Sequence, residues 1–236
     1  TSREDTMDGN TLKRLLEDHE ISVFQATPAT YQMLLGAGWE GSRNIKLLCG
    51  GEAFPAELAS QLLRRCNELW NMYGPTETTI WSTTKKITAI ESPMSIGKPI
   101  LGTQAYILND RQVPVPIGVS GELYIAGDGV ARGYHARPDL TAERFVEDPF
   151  SDDIGARMYR TGDLARIADD SDITYLGRLD RQVKIRGFRI ELGEIEAAIS
   201  KLGNVRQCVV EVYVPPTGSK RLVAYLVLND PNEPID

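Results

Sequence analysis

Strand and helix patterns alternate through residues 11–73, and this alternation constrains the fold more than any other feature of the sequence. From Thr11 to Glu20, Leu12, Leu15 and Leu16 share one helical face, and Ile21 to Ala26 then reads as a short buried strand. Thr27-Pro28 supplies an N-cap followed by a first-turn proline, opening a helix through Tyr31, Met33, Leu34 and Leu35 that stops at Gly36 and Gly38. Ile45 to Cys49 is a second strand ending in Gly50-Gly51. Pro55 starts a helix carrying Leu58, Leu62 and Leu63, and Glu68 to Tyr73 leads into the turn pair Gly74-Pro75. Strands that alternate with helices in this way imply a parallel sheet covered by helices. The expected fold class is α/β, with a parallel-sheet subdomain over residues 1–91.

The texture changes near Ser92. Proline and glycine punctuate short strands at Gln104–Leu108, Gly121–Ala126 and Asp172–Leu176, with almost no helical periodicity. A small β-barrel subdomain is expected over residues 92–179. Beyond Gly177 a basic stretch precedes Leu192, Ile195, Ile199 and Leu202, whose spacing places one apolar stripe on a helix closed by Gly203. Gln207–Val214 and Leu222–Leu228 follow as strands around the turn Pro215-Pro-Thr-Gly218. Residues 180–236 therefore read as a small, incomplete α+β domain, with Pro231–Asp236 as a frayed or cut end.

Composition narrows the classes. At 236 residues, 42% hydrophobic and 25% charged, the chain sits within ordinary globular composition. Its longest apolar stretches, such as Arg221–Leu228, fall well short of a membrane-spanning helix, so no membrane partner is expected. The first residues lack the apolar segment of a signal peptide, which points to the cytoplasm. Three cysteines without C-x-x-C spacing disfavour a disulfide framework or a structural zinc site. A net charge of −7 argues against nucleic acid as a partner, because phosphate backbones require a basic surface.

Several motifs carry chemistry, and each has a plainer alternative. Gly127 to Gly133 is similar to a dinucleotide fingerprint but fails in spacing and opens no helix, so these are turn glycines. In Asn71-Met-Tyr-Gly-Pro-Thr-Glu77 the Gly-Pro turn presents Thr76 and Glu77 at a strand end, where a hydroxyl and an exposed carboxylate suit a phosphate oxygen and its Mg²⁺; a simple loop is the alternative. Asp163, after a glycine, is placed either to accept both hydroxyls of a ribose or in an Asx turn. Five cations between Gly177 and Glu191 form either a solvated face or a phosphate-facing loop.

Together and in this order, these strings resemble the adenylate-forming superfamily, specifically the adenylation domains of nonribosomal peptide synthetases. The resemblance rests on Gly50-Gly-Glu-Ala53, Tyr73-Gly-Pro-Thr-Glu77, Gly121 to Gly127 with Arg137 to Phe145, Tyr159-Arg-Thr-Gly-Asp163, and Gly177 to Glu196. It covers essentially the whole chain. The family's lysine-bearing phosphate loop would lie upstream of Thr1 and its catalytic lysine beyond Asp236, so the stretch is expected to be a C-terminal portion that is inactive by itself.

The resemblance implies ATP-dependent conversion of a carboxylic acid to an acyl-adenylate, then transfer to the phosphopantetheine thiol of a peptidyl carrier domain. By the same resemblance, Gly51, Glu52, Ala53, Asn71, Tyr73, Gly74, Thr76, Asp163 and Arg178 bind ATP or AMP. Thr76 and Glu77 act at the phosphates, with Glu77 on Mg²⁺, and Asp180 is the hinge between large and small domains. Gln25 (or Ala26 after a one-residue shift), Leu48, Gly50, Met72, Ile80 and Trp81 would line the amino-acid pocket, an apolar floor with one amide and one indole. Core packing is the alternative for Leu48, Met72 and Ile80. Expected partners are the amino acid, the carrier domain and the remainder of the synthetase. An acyl- or aryl-CoA ligase of the same superfamily, or a non-catalytic nucleotide-binding fragment, is the alternative function. The identity of the acid stays open.

Overall fold

The computed structural model describes residue 2, residues 4–215 and residues 220–230. The chain divides into two compact units, Thr1–Leu179 and Asp180–Asp236. The first is mixed α/β. Strands β1 (Val23–Ala26), β2 (Lys46–Gly50) and β3 (Glu68–Tyr73) pair in parallel, joined through helices α2 (Pro28–Gly36) and α3 (Ala56–Leu63) after an opening helix α1 (Gly9–Asp18). Local chemistry fixes the helix starts. The Asp8 carboxylate accepts from the amides of Asn10 and Thr11, and the Thr27 hydroxyl accepts from Thr30 N ahead of Pro28.

All three helices pack on one face of this sheet. Leu12 and Leu16 of α1, Tyr31 and Leu34 of α2, and Leu58 and Leu62 of α3 meet Leu47, Cys49 and Leu69 of β2 and β3 in a single core. Tyr31 is fully buried, and its hydroxyl donates to the carbonyls of Phe24 (2.9 Å) and Leu48 (3.2 Å), tying α2 to two strands at once.

Strands β4 (Thr83–Lys86) and β5 (Ser95–Pro99) carry the ladder onward with antiparallel pairing. Next come β6 (Thr103–Leu108), β7 (Gly121–Gly127), β8 (Phe145–Glu147), β9 (Arg157–Ile167) and β10 (Ile173–Arg178). The order is β1-β2-β3-β4-β5-β10-β9-β7-β6, with β8 also on β9, so one ten-stranded sheet spans what the sequence divides near Ser92. A short helix α4 (Pro138–Arg144) interrupts the middle region, where the sequence suggested almost none. Its start is legible afterwards as Arg137-Pro138, a proline in the first turn.

In the second unit, β11 (Val183–Ile185) and β12 (Phe188–Ile190) form a hairpin, followed by α5 (Leu192–Ile199), β13 (Val205–Tyr213) and its antiparallel partner β14 (Arg221–Leu228). The basic stretch is thus a hairpin rather than a loop, with Arg181, Arg186 and Arg189 exposed to solvent. Arg186 and Gly187 occupy the hairpin turn with φ of 53° and 79°, the left-handed pair that a two-residue connection demands. Helix α5 ends at Ile199, short of the expected Leu202, which is exposed. The expected turn over Pro215–Gly218 and the end at Pro231–Asp236 fall largely or wholly outside the described residues. Arg181 joins α5 to β13 by pairing with Glu196 (3.0 Å) and donating to the Val210 carbonyl (3.1 Å).

Candidate functional site

The expected site residues lie mostly at the C-terminal ends of β2 and β3 and in the turns that follow, with Asp163 on β9 and Arg178 on β10. Burial alternates strictly along β3, so Leu69, Asn71 and Tyr73 are buried while Glu68, Trp70 and Met72 on the opposite side are half-buried. The side chains expected at the nucleotide and those expected at the acid therefore leave β3 on different faces.

On the buried face, the Tyr73 hydroxyl donates to Asp163 Oδ2 at 2.5 Å. Arg178 donates to Asp163 Oδ1 (2.9 Å) and to the Thr161 carbonyl (2.8 Å), so both carboxylate oxygens are engaged by donors. The Asp163 and Arg178 side chains are 5% and 13% exposed, and the ion pair is largely desolvated. Burial, reinforced by the adjacent carboxylate, pushes the Tyr73 phenol well above its ordinary range and keeps it a donor. Asp163 lies inside β9 rather than in an Asx turn, because Thr161 and Gly162 continue the strand. The Asp163 amide donates to Thr161 Oγ1 at 2.9 Å. Asn71 donates from Nδ2 to the Ser95 carbonyl at 2.8 Å, which turns its Oδ1, an acceptor, elsewhere.

Gly74 permits the turn after β3. A Cβ there would stand 2.4 Å from the Ile80 carbonyl oxygen and 2.8 Å from Ser82 N, since the chain returns directly across it. Thr76, Glu77 and Thr78 form a short 3-10 turn in which Thr76 is exposed. Glu77 is only 6% exposed, which corrects the expectation of an exposed carboxylate. What covers it is the 129–134 segment. Tyr134 donates from its hydroxyl to Glu77 Oε1 (2.6 Å), Ala131 N donates to the Glu77 carbonyl (2.9 Å), and Thr79 Oγ1 donates to the Gly129 carbonyl (2.8 Å). The Tyr134 phenol is pushed up by burial first and by Glu77 second. Sequence reasoning treated Gly127 to Gly133 only as turn glycines and missed Tyr134, because nothing local links residues 57 positions apart.

On the other face, Gln25, Leu48 and Trp70 are cross-strand neighbours, as are Gly50 and Met72. Ala26 packs with the helix-side core, so Gln25 is the residue that shares the face with Leu48. Leu48 and Met72 are half-buried, Ile80 is 61% exposed, and none belongs to the buried core. Trp81 reaches over Gly50. Between β2 and α3, Gly51 takes a left-handed φ of 89° ahead of Glu52 and exposed Ala53.

Among the described residues no group of three or more His, Cys, Asp or Glu side chains is arranged to hold a metal ion. A single carboxylate such as Glu77 is nevertheless a donor set that fits Mg²⁺, which takes one or two protein oxygens and completes its shell with phosphates and water. No helix among the described residues is long and apolar enough to cross a membrane.

The family model for AMP-binding enzymes matches residues 1–135, and the chain belongs to that family. In sequence it is 49% identical over 217 residues to a dimodular nonribosomal peptide synthase of Bacillus subtilis (strain 168), covering 92% of this chain and 9% of that protein. It is 46% identical over 224 residues to malpinin synthetase of Mortierella alpina, covering 93% of this chain and 3% of that one. In structure it is similar to holo-AB3403, a four-domain nonribosomal peptide synthetase bound to AMP and glycine, with 45% identity and a TM-score of 0.72 over 98% of this chain and 17% of the other. It is also similar to PA1221, a synthetase protein containing adenylation and PCP domains, with 28% identity and a TM-score of 0.85 over 96% of this chain and 40% of the other. The chain thus spans less than a tenth of these two curated relatives.

Proposed function

We propose that the protein carrying this chain activates an amino acid with ATP and passes it to a carrier-protein thiol. In the first half-reaction a carboxylate oxygen bonds to the α-phosphorus while the bond from that phosphorus to pyrophosphate breaks, turning a poor electrophile into an acyl-adenylate. The observation that carries this reading is the convergence of Tyr73, Asp163 and Arg178, three residues separated in sequence and expected at one nucleotide. Each Asp163 oxygen retains acceptor capacity for a ribose hydroxyl, while Arg178 fixes the carboxylate. Asn71 Oδ1 suits the exocyclic amine of adenine, and the backbone of Gly51, Glu52 and Ala53 supplies one wall for the base with Tyr73 as the other. Gly74 brings Thr76 to the α-phosphate.

Glu77 is the residue that would hold Mg²⁺, which when bound offsets charge on the phosphates. Tyr134 keeps the Glu77 carboxylate in place. On the opposite face Gln25, Leu48, Gly50, Met72, Ile80 and Trp81 are assigned to the acid. Likeness to a synthetase bound to AMP and glycine, and to proteins containing adenylation and PCP domains, supports both the substrates and the carrier partner.

Pyrophosphate exchange that depends on an amino acid tests the reading. Glu77→Gln is expected to raise the Mg²⁺ concentration needed for half-maximal exchange, and an unchanged Mg²⁺ requirement would remove Glu77 from the site. The second half-reaction is assigned to movement about Asp180, the first residue of the second unit, whose carboxylate accepts from Gln182 N. Proline fixes φ near −65°. Asp180→Pro is therefore expected to lower thioester formation more than exchange, and equal loss of both would make Asp180 a structural residue.

A further inference from the structure

Glu77 lies in a three-residue turn, so the direction of its side chain depends on what packs against it. A strap formed by residues 129–134 crosses that turn and meets it at three points. The Gly129 carbonyl accepts from Thr79 Oγ1 (2.8 Å), Ala131 N donates to the Glu77 carbonyl (2.9 Å), and the Tyr134 hydroxyl donates to Glu77 Oε1 (2.6 Å). The first two ties hold the turn, and the third reaches the carboxylate. Its length is that of a hydroxyl donating to an ionised carboxylate, a stronger bond than one between neutral partners.

The strap is itself pinned from behind. Arg157 on β9 donates to the carbonyls of Arg132 (3.0 Å) and Ala131 (3.1 Å). Its guanidinium lies 5.7 Å from the centre of the Phe145 ring, and the Tyr134 ring packs edge-on against that same ring with centroids 5.3 Å apart. Thr141 on α4 accepts from the Tyr134 amide (2.9 Å) and donates to the Arg137 carbonyl (2.8 Å). Gly133 lets the strap come this near the helix, because its φ is 136° and a Cβ there would stand 2.3 Å from Thr141 Cγ2. The Tyr134 hydroxyl also lies 3.4 Å from that of buried Tyr159. Tyr134 is therefore held at its backbone, its ring and its hydroxyl. Phenylalanine would fill the same half-buried position and keep the packing on Phe145, so the hydroxyl is what the tyrosine adds.

We propose that Tyr134 is a positioning residue that sets how tightly Glu77 holds a divalent cation at the phosphates, and that Arg157 and Thr141 act at one remove by fixing the strap that carries it. The inference rests on the assignment of Glu77 to Mg²⁺ under Proposed function. A carboxylate whose direction is fixed beforehand loses less conformational freedom when it meets a cation, so the complex is tighter. Partners that orient a metal ligand are worth about 10–100-fold in metal affinity.

The test uses the protein that carries this chain as wild type, Tyr134→Phe, Glu77→Gln and the double variant. Binding of the Mn²⁺ complex of ATP is read by electron paramagnetic resonance, and binding of AMP without metal by calorimetry. Tyr134→Phe is expected to weaken Mn²⁺–ATP binding about 10-fold and to leave metal-free AMP binding unchanged. Added to Glu77→Gln, it is expected to have no further effect, since a residue that acts through the carboxylate has nothing to orient once the charge is gone. Equal losses of Mn²⁺–ATP and AMP affinity, or full additivity in the double variant, overturn the inference and make Tyr134 a structural residue. A loss with Glu77→Gln and none with Tyr134→Phe also overturns it, while leaving Glu77 at the cation. Unchanged Mn²⁺–ATP binding by Glu77→Gln would instead overturn the assignment of Glu77 on which the inference rests. If Tyr134→Phe does not fold, Thr141→Val removes the acceptor of the Tyr134 amide and is expected to give the same pattern at smaller size, with an unchanged Mn²⁺–ATP affinity overturning it.

Discussion

The two faces of β3 do different work although they are built from one six-residue strand. On one, Leu69 joins the helix-covered core, Asn71 is tied to the Ser95 carbonyl and Tyr73 to Asp163, and all three are buried. On the other, Glu68, Trp70 and Met72 stay half-exposed, and Glu68 is held by Lys46 (2.9 Å), Lys86 (2.6 Å) and the Trp70 indole N–H (3.1 Å). The lesson is that the closed face trades freedom for fixed polar geometry, whereas the open face keeps side chains that solvent still reaches. Apolar packing and desolvated charge hold the first, and solvent-screened pairs decorate the second.

The contrast can be broken most severely at Asp163. Asp163→Ala leaves Arg178 charged and buried and strips the acceptor from Tyr73, so a loss of about 3–5 kcal/mol in unfolding free energy is expected by urea denaturation. A loss below about 1 kcal/mol would mean that water reaches the pair and screens it as it screens a surface ion pair.

A paired substitution sharpens the comparison. Leu69→Ala is expected to cost about 2–5 kcal/mol because the fully buried site leaves a cavity. Met72→Ala, on the half-buried side, is expected to cost about 1 kcal/mol. Met72→Ala should instead alter the relative rates of exchange with different amino acids. Equal destabilisation by the two would erase the distinction between the faces.

The smallest effect belongs to Glu68. Hydrogen bonds from Lys86 first, then Lys46 and Trp70, lower its carboxyl from 4.5 to about 2. A depressed carboxyl contributes stability that is present above the unfolded value and lost as pH falls through the folded one. The difference in stability between wild type and Glu68→Gln should therefore be constant above pH 4.5 and vanish by about pH 2, and it should shrink with added salt. A difference that persists at pH 2 would assign Glu68 a role other than charge pairing.

The sequence by itself determined the elements whose causes are local. Thr27-Pro28 marks a helix start by capping chemistry, Gly74-Pro75 marks a turn by backbone geometry, and alternating burial in β3 follows from the two-residue repeat of a strand. Motif resemblance groups Tyr73, Asp163 and Arg178, and in the structure Tyr73 and Arg178 both donate to Asp163. Tertiary structure alone decided the rest. Glu77 is buried because Tyr134 and Ala131 close over it, and Trp81 lies over Gly50, thirty-one positions earlier, because Gly50 has no side chain to hold it off. Such contacts depend on which strands become neighbours, and strand pairing is settled by the burial of the whole sheet rather than by residues near one another in the chain.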